Sequence, residues 1–169
     1  MKMKKLWWLS LMLIIVVPMV AACLGGDARY RGRLVAPEHR VSLADDRGTG
    51  LWETFDMAIR YEYLREGDSM TLSGVVTLSE HYQLSYDFLK KLDLELVLLD
   101  RDSRVVMTRD LDVGRPLGVD WQVNFTEQVP VTETVAAFSF AYDGVVRGDG
   151  EDHGGAVNFW LIPRAAAKE

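Results

Sequence analysis

Hydrophobic and polar residues alternate along most of the chain after residue 55. Ile59 and Tyr63 share one side of a first run, and residues 70–78 alternate in the same way in a second run. A period of two places successive side chains on opposite faces of a β-strand. Residues 59–64 and 70–78 therefore predict two strands, and Gly67 with its acidic neighbours predicts a hairpin turn between them.

The same alternation recurs towards the C-terminus, with turn residues between the runs and no long helical pattern. Only residues 81–91 are ambiguous: Tyr82, Tyr86 and Leu89 would share one face of a helix, and a structured loop with one helical turn fits the segment equally well. About seven strands with short connections predict an all-β fold: a seven-stranded antiparallel immunoglobulin-like sandwich, with an open barrel as the second interpretation. The alternating apolar residues are the predicted core. The further strands are predicted at residues 92–98, 105–111, 121–125, 136–142 and 156–162.

The apolar segment at the N-terminus is longer than any of these strands. Three lysines precede it, and residues 6–22 are almost entirely apolar. A positive end followed by an apolar run is typical of a secretory signal, and this run is short for a spanning helix of about 20 apolar residues. Val20, Ala21 and Ala22 then lead to Cys23, the one cysteine in the sequence. The pattern predicts export, with residues 1–22 as a cleaved signal peptide.

The segment Val20-Ala21-Ala22-Cys23 resembles the lipobox of bacterial lipoproteins, in which a signal peptidase cuts directly before the cysteine. The resemblance implies that Cys23 carries a diacylglyceryl thioether, and two or more acyl chains anchor a protein firmly in a membrane. Lipidation also accounts for a lone thiol in an exported protein. A transmembrane anchor and an ordinary secretory signal with a free cysteine are the alternatives.

The rest of the chain divides by composition. Residues 23–50 contain many Gly and Asp residues and have poor periodicity, which predicts a tether. The sandwich domain is predicted at residues 51–163, followed by a tail at 164–169. Leu24 follows the predicted lipidated cysteine, whereas lipoproteins retained at the Gram-negative inner membrane resemble one another in having Asp there. In a Gram-negative host this implies an outer-membrane anchor, with the domain in the periplasm.

The charge of the predicted mature chain limits its partners. Removal of the three N-terminal lysines leaves 16 basic and 25 acidic residues, a net charge of −9. Nucleic-acid-binding proteins usually present a basic face, so no nucleic-acid partner is expected. Attraction to anionic headgroups would not hold an acidic domain at a membrane, so the acyl chains must do so.

A second resemblance concerns the fold. Residues 94–106 resemble the strand–turn–strand of FxLYD-type immunoglobulin-like domains, in which an aliphatic-or-Tyr–Asp pair precedes a turn and a Val-Val return. Leu99 and Asp100 occupy the place of that pair. Residues 74–76 and 138–142 lie where the same layout puts its flanking strands. The resemblance implies an accessory or binding module.

Few residues are spaced for metal binding or catalysis. The best metal candidate is a loop with Asp149, Glu151, Asp152 and His153, whose oxygens could bind Ca²⁺. A glycine-rich hairpin tip kept soluble by its charge accounts for the same residues. The sequence contains no nucleophile elbow, phosphate loop or dinucleotide fingerprint. No cofactor and no enzymatic activity are therefore expected.

These observations predict a non-enzymatic envelope lipoprotein, anchored in the membrane by its N-terminal lipid, whose sandwich binds an envelope protein or organises the envelope. The alternative is a lipid- or small-ligand-binding sandwich or barrel with an apolar pocket between its sheets. A third hypothesis is an enzyme whose site combines His81 with residues 149–153. The other histidine outside that loop, His39, falls in the predicted tether.

Overall fold

The computed structural model describes residues 29–114, 121–148 and 155–165. The predicted all-β sandwich is confirmed: two antiparallel sheets enclose one main core, with nine strands in the described residues where the sequence predicts about seven. The elements in chain order are a 3-10 turn (Pro37–His39), β1 (Val41–Ser42), β2 (Arg47–Glu53), β3 (Met57–Glu66), β4 (Ser69–Leu78), α1 (Glu80–Ser85), β5 (Phe88–Leu99), β6 (Val105–Leu111), β7 (Gln122–Pro130), β8 (Ala137–Gly148) and β9 (Gly155–Leu161).

The two sheets have different strand orders. Sheet I contains β6, β5 and β8 in that order, and β1 and β9 follow one another along the far side of β8. Sheet II has the order β2-β3-β4-β7. Each sheet therefore contains strands from both halves of the chain, and the sandwich forms only when distant segments meet.

The main core lies between the sheets, where the period-two pattern predicts it. Ile59, Val76 and Val123 lie side by side across sheet II, and all three are buried. Leu96 and Phe140 pair in sheet I and belong to the same buried cluster. Transfer of apolar area from water to this interior is the main stabilising contribution to the fold.

Two glycines are required by local geometry. Gly67 has φ of +60° in the β3–β4 turn, a conformation that glycine adopts without steric cost. Gly144 in β8 pairs with Phe159 in β9, and a Cβ at position 144 would lie 2.1 Å from Phe159 Cζ. The missing side chain allows the Phe159 ring to lie across β8 and reach the core.

The fold begins before the predicted domain boundary at residue 51. Residues 29–50, assigned to the tether by their composition, contain β1 and the start of β2. Leu43 in this range is buried in the main core, and Tyr30 and Val35 are buried in a second, smaller core. The short apolar stretches here have no period of their own because each contacts a different part of the sandwich. The structure therefore assigns residues 29–50 to the domain.

The ambiguous residues 81–91 divide into two elements. Residues 80–85 form α1, and β5 begins at Phe88. Tyr82 is the buried residue of this helix. No helix in the described part of the chain is long and apolar enough to cross a membrane.

The tryptophans occupy three environments. Trp52 is buried in the main core, where its Nε1 donates a hydrogen bond to the His39 carbonyl. Trp121 is half-buried against that core. Of the adjacent pair in the last strand, Phe159 is buried and Trp160 is exposed.

Candidate functional site

The predicted lipidation motif at residues 20–23 lies outside the described residues, as does the candidate metal loop at 149–153. Both stay predictions. Within residues 29–114, 121–148 and 155–165, no group of three or more His, Cys, Asp and Glu side chains is arranged to bind a metal ion. The structural evidence for function therefore comes from the surfaces of the sandwich.

The two described histidines make packing contacts. His39 lies against Trp52, with ring centroids 5.6 Å apart. His81 lies between Phe55 and Tyr82, at 4.6 and 3.9 Å, and its Nδ1 is 2.8 Å from Ser79 Oγ. These contacts place the two histidines in the structural framework of the sandwich.

Residues 29–36, which we call the strap, cross the outer face of sheet I. Tyr30 and Val35 pack there against Val97 and Leu99 of β5, and all four are buried. Backbone hydrogen bonds hold the strap at both sides: Gly32 N donates to the Val105 carbonyl at 2.8 Å, and the strap also pairs with the chain near Arg164. The strap therefore gives sheet I a second hydrophobic core on its outer face.

Charged groups secure the beginning of the strap. Arg29 Nη1 donates a hydrogen bond to Glu95 Oε1 at 2.8 Å, and the Glu95 side chain is only 10% exposed. The Tyr30 ring has the guanidinium groups of Arg29 and Arg33 at 5.9 and 5.4 Å from its centroid. The Glu95 carboxylate raises the pKa of the Arg29 guanidinium. The cations hold an aromatic ring and a nearly buried carboxylate in place.

The outer face of sheet II is uncovered in the described structure. A groove of about 610 Å³ and a neighbouring one of about 390 Å³ lie along it. Thr49, Glu62, Ser73 and Thr126 lie side by side across β2, β3, β4 and β7 and border these grooves. Each lies three positions from a buried core residue of its own strand (Trp52, Ile59, Val76 and Val123), so its side chain points to the opposite, outer face. The grooves are lined by Arg47, Gly48, Thr49, Arg60, Tyr61, Glu62, Tyr63, Leu64, Thr71, Ser73, Gly74, Val75, Asn124, Phe125 and Thr126.

A polar cluster joins the two sheets at one end of the sandwich. Asp56, in the β2–β3 turn, accepts hydrogen bonds from the Tyr82 and Tyr142 hydroxyls at 2.8 and 2.7 Å. Thr54 Oγ1 lies 3.0 Å from the Tyr142 hydroxyl and also accepts bonds from backbone nitrogens of the turn. Burial first, and then the Asp56 carboxylate, raises the pKa of Tyr82 far above its usual range.

The Tyr142 hydroxyl has a similar environment. Burial raises its pKa most, Thr54 lowers it and Asp56 raises it, and the result lies far above the usual range for tyrosine. Both hydroxyls therefore stay protonated and act as donors at neutral pH. Each Asp56 oxygen already accepts a hydrogen bond from a tyrosine hydroxyl. The cluster is therefore suited to holding α1 and the two sheets together rather than to proton transfer.

Sequence reasoning missed the strap and the grooves, although signals for both are present. An outward-facing valine and an outward-facing leucine in β5, Val97 and Leu99, make residues 96–99 apolar on both faces of the strand. This pattern predicts that both faces are covered. Outward-facing Thr71 and Ser73 alternate with buried residues, as expected for a solvated face.

No protein-family model, curated protein or solved structure gives a significant match to the chain.

Proposed function

We propose that this protein is an exported envelope lipoprotein whose sandwich is a non-enzymatic interaction module held close to the membrane. The lipid would be attached to Cys23, and the outer face of sheet II would bind an envelope protein. In a host with two membranes, the anchor would lie in the outer membrane and the domain in the periplasm.

The strap is the observation that carries this proposal. Arg29 is already fixed to Glu95 of β5, and it lies six residues after Cys23. A chain spans at most about 3.3–3.6 Å per residue, so these six steps reach about 20 Å at full extension. The sandwich would therefore stay near the membrane surface, and the long tether expected from composition is replaced by a short connection.

The two outer faces differ in their availability to a partner. The strap covers part of sheet I and leaves a groove of about 460 Å³ beside it, bordered by charged side chains such as Asp93 and Asp110. The grooves on sheet II lie on a face that no segment of the described structure covers. Protein interfaces combine apolar contacts with directed hydrogen bonds. Leu64 and Leu51, both exposed, supply apolar surface on this face, and the hydroxyls of Thr71 and Ser73 supply donors and acceptors. This composition suits a protein partner.

The alternative function, a lipid or small ligand bound between the sheets, needs an apolar pocket in the interior. Large side chains from both sheets fill that space: Trp52 contacts Phe140 at a centroid distance of 5.3 Å, and Tyr61 contacts Phe138 at 5.4 Å. A ligand would have to displace well-packed aromatic rings. The open face of sheet II therefore supports the interaction module better than the interior supports a ligand site.

The anchor is tested with Cys23→Ala in the native host. We expect the variant to lack the mass added by lipidation and to be processed poorly, so that the uncleaved chain keeps the apolar segment 6–22. Cys23→Ser is the matched control for side-chain volume and should behave in the same way. The wild-type mass shift in either variant would refute lipidation at this residue.

The binding face is tested by photo-cross-linking in cells. A photoreactive amino acid at Ser73 should give a discrete adduct, and the same amino acid at Asp110, exposed on sheet I, should not. The Ser73 adduct should weaken when Thr71→Arg fills the adjacent groove and when Cys23→Ala removes the anchor. An adduct from Asp110 alone, or a Ser73 adduct unchanged by Thr71→Arg, would contradict the assignment of this face.

A further inference from the structure

The outer edge of β9 is unlike the other edges of the sandwich. β9 pairs with β8 along residues 155–161, and no other strand in the described structure pairs with its opposite side. Residues 155–162 contain no charged side chain and no proline. Trp160 is 61% exposed, and Val157 and Ile162 are exposed beside it. The edge therefore combines free backbone hydrogen-bonding groups with apolar side chains.

Soluble proteins normally protect such an edge with charges, proline or very short strands. The other edge strands follow this rule: β1 has two residues, β2 contains Arg47 and Glu53, and β6 and β7 contain charged residues as well. β9 has seven residues and none of these protections. An unprotected edge of this length is suited to pairing with another strand.

We propose that β9 pairs antiparallel with β9 of a second copy of this chain, joining sheet I of the two copies into one continuous sheet. Pairing over the whole strand places Asn158, its middle residue, opposite Asn158 of the other copy. Trp160 then lies opposite Ala156, and Phe159 lies opposite Val157. On the outer face of the joined sheet, the exposed Trp160 ring therefore meets a small apolar residue, while the Phe159 ring stays over β8 in the core.

This fit identifies a second copy as the occupant of the edge. Directly opposed residues in an antiparallel pair contact one another, and large–small apolar pairs and amide pairs are favourable while like charges are not. The strand brings no charge to the seam, although the mature chain is acidic overall. Anchoring both copies in one membrane would raise their local concentration, but the pairing does not depend on the lipid.

The register is tested with Asn158→Cys in the full-length protein purified in detergent. Opposed Cα atoms lie about 4.5–5.5 Å apart in an antiparallel pair, which is within the range for a disulfide. Under a mild oxidant we expect a covalent dimer, lost again on reduction. The wild-type protein is the control for disulfides formed by Cys23. Asn124→Cys, at an exposed position of the edge strand β7, is the control for random collision. Cross-linking at position 158 no greater than at 124 would overturn the proposal.

The dimer is tested independently with Asn158→Lys, which opposes two like charges at the seam while leaving an exposed side chain exposed. Light scattering should give two copies per particle for wild type, and Asn158→Lys should raise the dissociation constant about tenfold, equivalent to about 1.4 kcal/mol. Asn124→Lys should leave the dimer intact. A wild-type protein with one copy per particle at all concentrations, or an equal effect of the two lysines, would overturn the proposal.

Discussion

The outer faces of the two sheets differ in whether another segment of the chain covers them. Val97, at the centre of sheet I, is fully buried beneath the strap. Val75, also outward-facing and central in sheet II, is only half-buried between its cross-strand neighbours Arg60 and Asn124. The two valines have the same side chain and the same strand geometry, and they differ in whether a segment from outside the sheet covers them.

The difference follows from the strands themselves. In β5 the last four residues are all buried, so sheet I needs a second layer on its outer face. In β4, buried and solvent-facing residues alternate, so sheet II needs none. A strand that is apolar on both faces therefore predicts a covering segment, even when the segment itself has no regular pattern.

Substitution of the two valines by aspartate should give the largest contrast. Val97→Asp buries a carboxylate under the strap and should cost about 4 kcal/mol of unfolding free energy, because a buried, unpaired polar group is strongly unfavourable. Val75→Asp should cost about 1 kcal/mol or less, since water reaches the new carboxylate. Denaturant titration measures both. Similar losses for the two variants would mean that the strap does not exclude water from sheet I.

Removal of the strap's aromatic ring should have the next largest effect. Tyr30→Ala deletes a buried ring that contacts Val97 and Leu99, and we expect a loss of about 2 kcal/mol, below the range for a central core aromatic because the strap lies at the surface. Arg31→Ala, an exposed strap position, is the matched control and should change stability by less than about 0.5 kcal/mol. A negligible effect of Tyr30→Ala would show that the second core contributes little.

The sandwich could be predicted from sequence because its strands carry local signals. Alternation places Ile59 and Val76 in the core, and the turn residues Gly67 and Asp100 mark two of the turns between strands. Each of these signals depends on neighbouring residues in the chain. Strand pairing and the final number of strands depend on distant partners. β1 has only two residues, which is too short to show an alternating pattern in the sequence.

The strap and the candidate surfaces were harder to predict for the same reason. Tyr30 is buried by residues more than sixty positions away, and Gly and Asp around it give the composition of a loop. Trp52 lies just after the predicted tether, and only the tertiary fold places it in the core. The lipidation site at Cys23 rests on a local motif, and it stays a prediction until the chemistry is measured.

The polar cluster that joins the two sheets should give a smaller, pH-dependent effect. Tyr142→Phe removes the hydrogen bonds to Asp56 and Thr54 and should cost about 1–2 kcal/mol at neutral pH. Tyr63→Phe is the control, because that hydroxyl makes one long bond of 3.4 Å to the Ser42 carbonyl. A loss for Tyr63→Phe as large as that for Tyr142→Phe would argue against a special role for the cluster.

The same cluster sets the alkaline behaviour. An unfolded tyrosine ionises near pH 10, and the pKa of folded Tyr142 is raised by burial and by Asp56. The stability that this protonated hydroxyl contributes is complete below about pH 10 and decreases as pH rises from there towards the folded pKa. Unfolding free energies measured between pH 8 and 11 should fall more steeply for wild type than for Tyr142→Phe. Parallel profiles would mean that the folded hydroxyl ionises as readily as an unfolded one.

The smallest effect is expected from substitution of two glutamates, one on the outer face of each sheet. Glu95 on sheet I is nearly buried and bound by Arg29, whereas Glu62 on sheet II is exposed and accepts one bond of 3.2 Å from Ser73 Oγ. Glu95→Gln should cost about 1 kcal/mol because a charge-assisted hydrogen bond becomes a neutral one. Glu62→Gln should stay within about 0.5 kcal/mol, as exposed substitutions usually do.

The two variants remove the same charge and keep nearly the same shape, so any difference between them reports on the cover that the strap provides. Denaturant titration at low and at high salt distinguishes the causes further. Part of the Glu95→Gln loss should persist in salt, because the Glu95 carboxylate is nearly buried even though the Arg29 side chain is 60% exposed. If the difference disappears at high salt, solvent ions screen the Arg29–Glu95 pair. Packing by Tyr30 and Val35 would then be the main contribution that holds the strap on sheet I.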